Sequence, residues 1–167
     1  MAAMLGAMLV VVAVIVGFVV LRSALRPGVE VEPEAIDYLQ SVETAERAGL
    51  DVVYPRTLPA GWRATSVDLR AGDRPEWGLG VLTGSGAFVG LRQADRSAAE
   101  LLDTYVDEET TAGGPPAAAA AVAARWESWS DEGGDLGYTA EVGEQTVLVY
   151  GSAPAAEIEQ FMALLTR

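Results

Sequence analysis

The sequence predicts an α+β chain: one N-terminal transmembrane helix, then an antiparallel β-sheet domain with helices packed on one face. Three observations carry this. The first 21 residues, MAAMLGAMLVVVAVIVGFVVL, hold no charged side chain before Arg22. At ~1.5 Å per residue, a helix of that length spans about 30 Å, the thickness of a bilayer's hydrocarbon core. After it come short alternating segments punctuated by Gly and Pro, the pattern of strands and hairpins. Helical patterns then follow pairs of such strands, which suits helices lying on an antiparallel sheet.

The expected division is an anchor over 1–26, a juxtamembrane spacer and helix over 27–49, and an α+β domain over 50–167. A cleaved signal peptide would want a shorter apolar core and a small-residue cleavage site, of which Ser23-Ala24-Leu25 is a poor version. Nothing polar breaks the run, so an uncleaved single-pass span is the reading adopted. Arg22 and Arg26 follow it, and counted literally they would hold the domain in the cytoplasm.

A helix is expected from Pro33, with Glu34 favourable to its dipole and Gly49 as its stop. Its apolar stripe would be Ile36, Leu39, Val42 and Ala45, and Glu43 and Arg47 would pair at i,i+4. Asp51 to Tyr54 reads as a brief extended segment. The turn signal Leu58-Pro59-Ala60-Gly61 follows, with Pro second and Gly fourth. Trp62, just after it, would pin that turn onto the sheet. Ala64 to Arg70 alternates, Val67 and Leu69 on one face and Ser66, Asp68 and Arg70 on the other. Trp77 to Thr83 and Ala87 to Gln93 form a hairpin through Gly84-Ser85-Gly86. Ser97-Ala98-Ala99-Glu100 is a capping box, and Leu101, Leu102, Tyr105 and Val106 make the helix behind it amphipathic until the acids at 107–109. Thr110 to Pro116 is a loop. The Ala117 to Ala124 run has no amphipathic stripe, and a short strand continuing to Trp126 and Trp129 is expected. Leu136 to Val142 and Gln145 to Tyr150 form a second hairpin, and Pro154 opens a closing helix that buries Ile158, Phe161, Met162 and Leu165. A shift of about 57 residues lays Gly80 on Gly137, Leu91 on Leu148 and Leu101 on Ile158, which suggests two strand–strand–helix halves.

Composition excludes much chemistry. The 167 residues contain no Cys, His, Lys or Asn. That removes thiol nucleophiles, the usual zinc, iron and copper ligand sets, Schiff bases and the phosphate-loop lysine. Beyond the anchor nine arginines face twenty-four acids, a net of −15. Such a surface repels nucleic acid, so no nucleic-acid partner is expected. Asp131-Glu132-Gly133-Gly134-Asp135 lacks the alternating ligands and distal Glu of a calcium loop, and no metal or cofactor is expected. No catalytic residue is assigned. Only carboxylates and Tyr remain as acid–base groups, and the acids are scattered over turns and exposed faces. The tryptophans are the binding candidates, because an indole joins apolar area to a hydrogen-bond donor. Trp126 and Trp129 are three apart on the expected strand and would point to opposite faces, so at most one is core. Trp77, Trp126 and Trp129 are therefore the candidate partner-binding residues.

The order of four motifs carries a resemblance: YPRTLPAGW at Tyr54 to Trp62, WGLGVLTGSGAFVGLRQAD at Trp77 to Asp95, RWESW at Arg125 to Trp129, and VLVYGSAPAAEIEQF at Val147 to Phe161. Behind an N-terminal apolar run, this order resembles the actinobacterial domain-of-unknown-function family numbered 4245, over almost the whole chain. The resemblance implies a single-pass membrane protein whose domain lies outside the cytoplasm, against the arginine count. It implies no activity, so no catalytic residue carries over. The expected function is a non-enzymatic, membrane-anchored envelope module. It would hold the membrane through residues 1–21 and bind an unidentified protein, lipid or wall component with a monomeric domain. The alternatives are a carboxylate-dependent enzyme acting on envelope glycans and a lipid-carrier-like domain.

Overall fold

The computed structural model describes residues 35–117 and 121–167. The expected anchor over 1–21, the spacer, and the first residues of the expected helix lie outside these. Among the described residues no helix is long and apolar enough to cross a membrane.

The first helix, α1 (Tyr38–Arg47), starts later than Pro33 because Asp37 caps it, accepting the Leu39 N–H at 3.1 Å. Starting there turns the buried stripe to Tyr38, Val42 and Ala45. Ile36 and Leu39, expected in that stripe, are 38 % and 40 % exposed. Ile36 sits ahead of the helix, where its N–H bonds the Ala64 carbonyl at 3.0 Å. The Tyr38 hydroxyl donates to the Pro55 carbonyl at 2.7 Å and ties the helix to the next segment.

Among the described residues nine strands follow: β1 (Tyr54–Pro55), β2 (Arg63–Arg70), β3 (Glu76–Leu82), β4 (Phe88–Ala94), β5 (Thr111–Ala112), β6 (Glu127–Ser130), β7 (Leu136–Val142), β8 (Gln145–Gly151) and β9 (Leu165–Thr166). They are interleaved with α2 (Ala98–Tyr105) and α3 (Ala155–Met162). Seven strands make one antiparallel sheet in the order β2-β3-β4-β8-β7-β6-β5, and β1 pairs separately with β9. The α+β class and the antiparallel sheet are therefore as the alternation predicts. The β3–β4 hairpin closes over Gly84 to Gly86, and α2 opens on the capping box, with Ser97 N–H to Glu100 Oε2 at 2.9 Å. The Ser97 hydroxyl and backbone hold the Glu100 carboxyl below its ordinary value.

Two local expectations shift. The turn before β2 is Pro59-Ala60-Gly61-Trp62, closed by Trp62 N–H to Pro59 O at 3.0 Å. That puts Gly61, with φ +83°, at the third position of a type II turn rather than the fourth. The described part of the alanine run forms no strand: Ala117 and residues 121–126 are turn, bend and coil, and β6 begins at Glu127. Alanine offers little cross-strand area to hold a ladder.

The sheet is packed on both faces, which corrects the expectation of helices on one. On one face α1 and α3 cover Trp77, Leu79, Val81, Leu91, Val147 and Val149. On the other, Leu101 and Leu102 of α2 cover Leu148 and Ala94. Alternation along β8 makes this direct, since Leu148 and its neighbours Val147 and Val149 point opposite ways. The two strand–strand–helix halves exist as β3–β4–α2 and β7–β8–α3, but their helices lie on opposite faces. Leu91 and Leu148, superposed by the 57-residue shift, consequently belong to different clusters. The space under α3 is filled by Ile158, Phe161 and Met162, each fully buried.

Trp62 is half-buried, packs against the main core, and lies alongside Gly84 of the β3–β4 turn. Trp62→Ala is expected to lower unfolding stability by about 2 kcal/mol, roughly half the ~3–5 kcal/mol of a wholly buried aromatic. A urea titration checks this. A change below ~0.5 kcal/mol would show that the indole pins nothing.

Candidate binding surface

The three candidate tryptophans are dispersed. Trp77 on β3 is 2 % exposed, and its Nε1–H donates to the Val53 carbonyl at 2.9 Å. Trp126 is 4 % exposed and belongs to the same core. Neither offers a partner an open indole face, because α1 and α3 close that side of the sheet. Trp129 lies on the opposite face, half-buried against the α2 cluster, with its Nε1–H on Thr139 Oγ1 at 2.9 Å. The pair does point to opposite faces, as its spacing predicts, but both faces are packed, so both indoles fill interfaces. Along one edge they border a groove of about 410 Å³ with Gly113, Gly114 and Pro115.

The face that carries α2 is only partly covered. The helix sits over β7 and β8, and Ala94 is the part of β4 beneath it. Among the described residues no helix packs on this face over β2, β3 and the rest of β4. The pairings Ser66↔Gly80, Asp68↔Gly78 and Gly90↔Tyr150 bring Ser66, Asp68, Phe88, Arg92 and Tyr150 onto it in one layer. Tyr105, from the last turn of α2, joins them. Phe88 meets Tyr150 edge-on at 5.8 Å between centroids, and Tyr150 meets Tyr105 at 5.4 Å. The Arg92 guanidinium lies 4.7 Å above the Tyr105 ring and bonds Asp68 at 3.2 Å. Phe88, Tyr105 and Tyr150 are all half-buried.

Glycines make this layer lie flat. A Cβ on Gly78 would come within 2.7 Å of Arg92 Cζ, and one on Gly90 within 2.5 Å of Tyr150 Cζ. With only hydrogens there, the guanidinium and the phenol rest directly on the sheet. Burial is the largest influence on Arg92 and opposes its charge. The hydrogen bond to Tyr150 and the neighbouring Tyr150, Tyr105 and Asp68 groups nevertheless hold it above its ordinary value. Burial pushes the Tyr150 hydroxyl up, against the bond from Arg92. The layer therefore presents a fixed cation, a carboxylate, neutral hydroxyls and aromatic faces side by side. The flat placement leaves Arg92 Nε buried with no hydrogen-bond partner among the described residues.

A second polar feature lies at the other end of β4. Asp51, Asp73, Asp95 and Glu144 line a groove of about 550 Å³ with Gln93, Gln145 and Arg167. Arg167 pairs with Asp51. Buried Gln93 accepts the Val53 N–H and donates to Asp51 O and Gln145 Oε1, both at 2.8 Å, so its amide is spent on holding the loop. Among the described residues no group of three or more acids is arranged to hold a metal ion.

Sequence reasoning missed the aromatic and arginine layer because it looked for tryptophan. The available signal was the glycines at 78, 80 and 90, which recur every second residue on one strand and then on its partner, away from any turn.

Fold and surface together define a small α+β domain built on one antiparallel sheet, with an open aromatic and charged layer on one face. The family model described as a protein of unknown function (DUF4245) matches residues 1–165, and the chain belongs to that family. No curated protein matches it.

Proposed function

We propose that this chain is a non-enzymatic module of the cell envelope, tethered to the cytoplasmic membrane by residues 1–21 with its domain on the outer side. It binds a protein, lipid or wall component through the open part of the sheet face. The observation that supports this reading is the contiguous layer of Phe88, Arg92, Tyr105 and Tyr150, each half-buried and still solvent-accessible. Accessible aromatic groups beside an arginine are the composition of contact surfaces.

Because the chain has no Cys, Ser66→Cys adds a unique thiol beside this layer. A photoactivatable cross-linker on it is expected to give adducts in intact cells. The same group on Gln160→Cys, exposed on α3, is expected to give none. Equal labelling from both, or none from position 66, would count against the reading. Protease added to protoplasts is expected to digest the chain beyond Arg26, and protection until lysis would place the domain inside.

The acidic groove at Asp51, Asp73, Asp95 and Glu144 favours a second reading, a carboxylate-dependent enzyme on envelope glycans. Glycans shortened on incubation with the protein would select it.

A further inference from the structure

We propose that the open layer binds an uncharged sugar, one pyranose ring stacking its C–H face on Tyr150 while its hydroxyls bond Asp68, Arg92 and Ser66. The inference rests on reading this face as the working surface, and adds the chemistry of its ligand. The sheet floor is flat because Gly78 and Gly90 carry no side chain, so the layer is a shallow tray. A tray suits a rigid ring that lies flat, and does not enclose a flexible acyl chain. Across β2, β3, β4 and β8, three inter-strand steps of ~4.8 Å give about 14 Å, room for more than one ring.

Polar groups decide the rest. A sugar hydroxyl both donates and accepts, so it needs acceptors and donors close together. Asp68 supplies acceptor oxygens, Arg92 a planar fork of donors, and Ser66 both. Asp68 is 40 % exposed and Arg92 24 %, so each keeps bonding capacity towards solvent beyond their mutual contact.

Charge excludes the competitors. Arg92 is already compensated by Asp68, whose other oxygen faces Arg70 at 3.8 Å. An anionic ligand would meet the Asp68 carboxylate beside Arg92 and approach a domain in which acids outnumber arginines more than two to one. A cationic ligand would meet a Tyr105 ring whose face Arg92 already occupies. An uncharged polyol with one apolar face meets neither obstacle.

The test uses the full chain in nanodiscs of zwitterionic lipid, which present no sugar headgroup. Short uncharged oligosaccharides of glucose, mannose, galactose and N-acetylglucosamine are titrated beside their sulfated or carboxylated counterparts. Saturable binding of at least one uncharged oligosaccharide is expected. Tyr150→Ala and Asp68→Ala should each weaken it about tenfold, the scale of one strong contact. Should Tyr150→Ala fail to fold, the exposed Asp68→Ala variant, checked by its melting curve, carries the test alone. Binding of charged oligosaccharides only, or binding that neither variant weakens, overturns the proposal. If no uncharged oligosaccharide binds while the cross-linker at Ser66→Cys captures a protein, the sugar assignment fails and the reading of the face survives. If neither occurs, both fail.

Discussion

Trp77→Ala is expected to remove about 4–8 kcal/mol of unfolding free energy. Truncating a wholly buried aromatic typically costs ~3–5 kcal/mol through lost transfer energy and the cavity left behind. The indole N–H also donates to the Val53 carbonyl, and Val53 is itself fully buried. A buried carbonyl stripped of its donor adds about 1–3 kcal/mol. Against a total of ~5–15 kcal/mol for an ordinary domain, such a loss takes much of the margin. Trp77→Phe separates the two contributions, because it keeps most of the apolar volume and drops the N–H. Urea unfolding of both variants is the measurement. If alanine costs no more than phenylalanine, the packing argument fails.

Gly151→Ala is expected to destabilise by about 2–5 kcal/mol, although it adds one methyl group. Gly151 ends β8 with φ +151°, a backbone that L side chains rarely adopt. A Cβ there would fall 3.0 Å from the Phe88 carbonyl carbon and 3.2 Å from Val89 Cα. Both belong to the backbone of β4, which cannot rotate aside as a side chain can. The same stretch receives the Ala153 N–H on Phe88 O at 3.2 Å, so the strand-to-helix turn is drawn tightly over β4. Gly90→Ala meets only the Tyr150 ring, which can swing away, and is expected to lose less stability while lifting that ring from the sheet. Melting curves of the two variants rank them. The order reversed would mean that the turn over β4 is loose.

Legibility in the sequence followed how local each cause was. The capping box at Ser97 and Glu100, the Gly84 to Gly86 hairpin and the alternation of Ser66, Val67, Asp68 and Leu69 depend on residues a few positions apart, and all appear as read. The helix start at Tyr38 did not, because one Asp37 cap outweighed the Pro33 signal. Which face each helix covers was hidden for a different reason. The stripe of Leu101 and Leu102 resembles that of Ile158, Phe161 and Met162, and neither names the side of the sheet it will meet. Trp77, Trp126 and Trp129 could not be sorted by pattern because an indole's size suits burial and contact equally, and only strand register and packing separate them. The layer of Asp68, Arg92, Tyr105 and Tyr150 assembles from four distant segments, joined by the β4–β8 pairing that no short pattern encodes.

That central seam also sets a schedule for the nascent chain. On the edge away from β3, residues 90–94 pair with 146–150, so β2, β3 and β4 leave the ribosome as a half-sheet with a raw edge. At ~5–20 residues per second the intervening stretch takes several seconds to emerge. For that interval the open N–H and C=O groups of β4 are free to pair with another copy. The arrival of β8 both seals the edge and delivers Tyr150 to its place, so the step that ends the aggregation hazard is also the step that completes the surface.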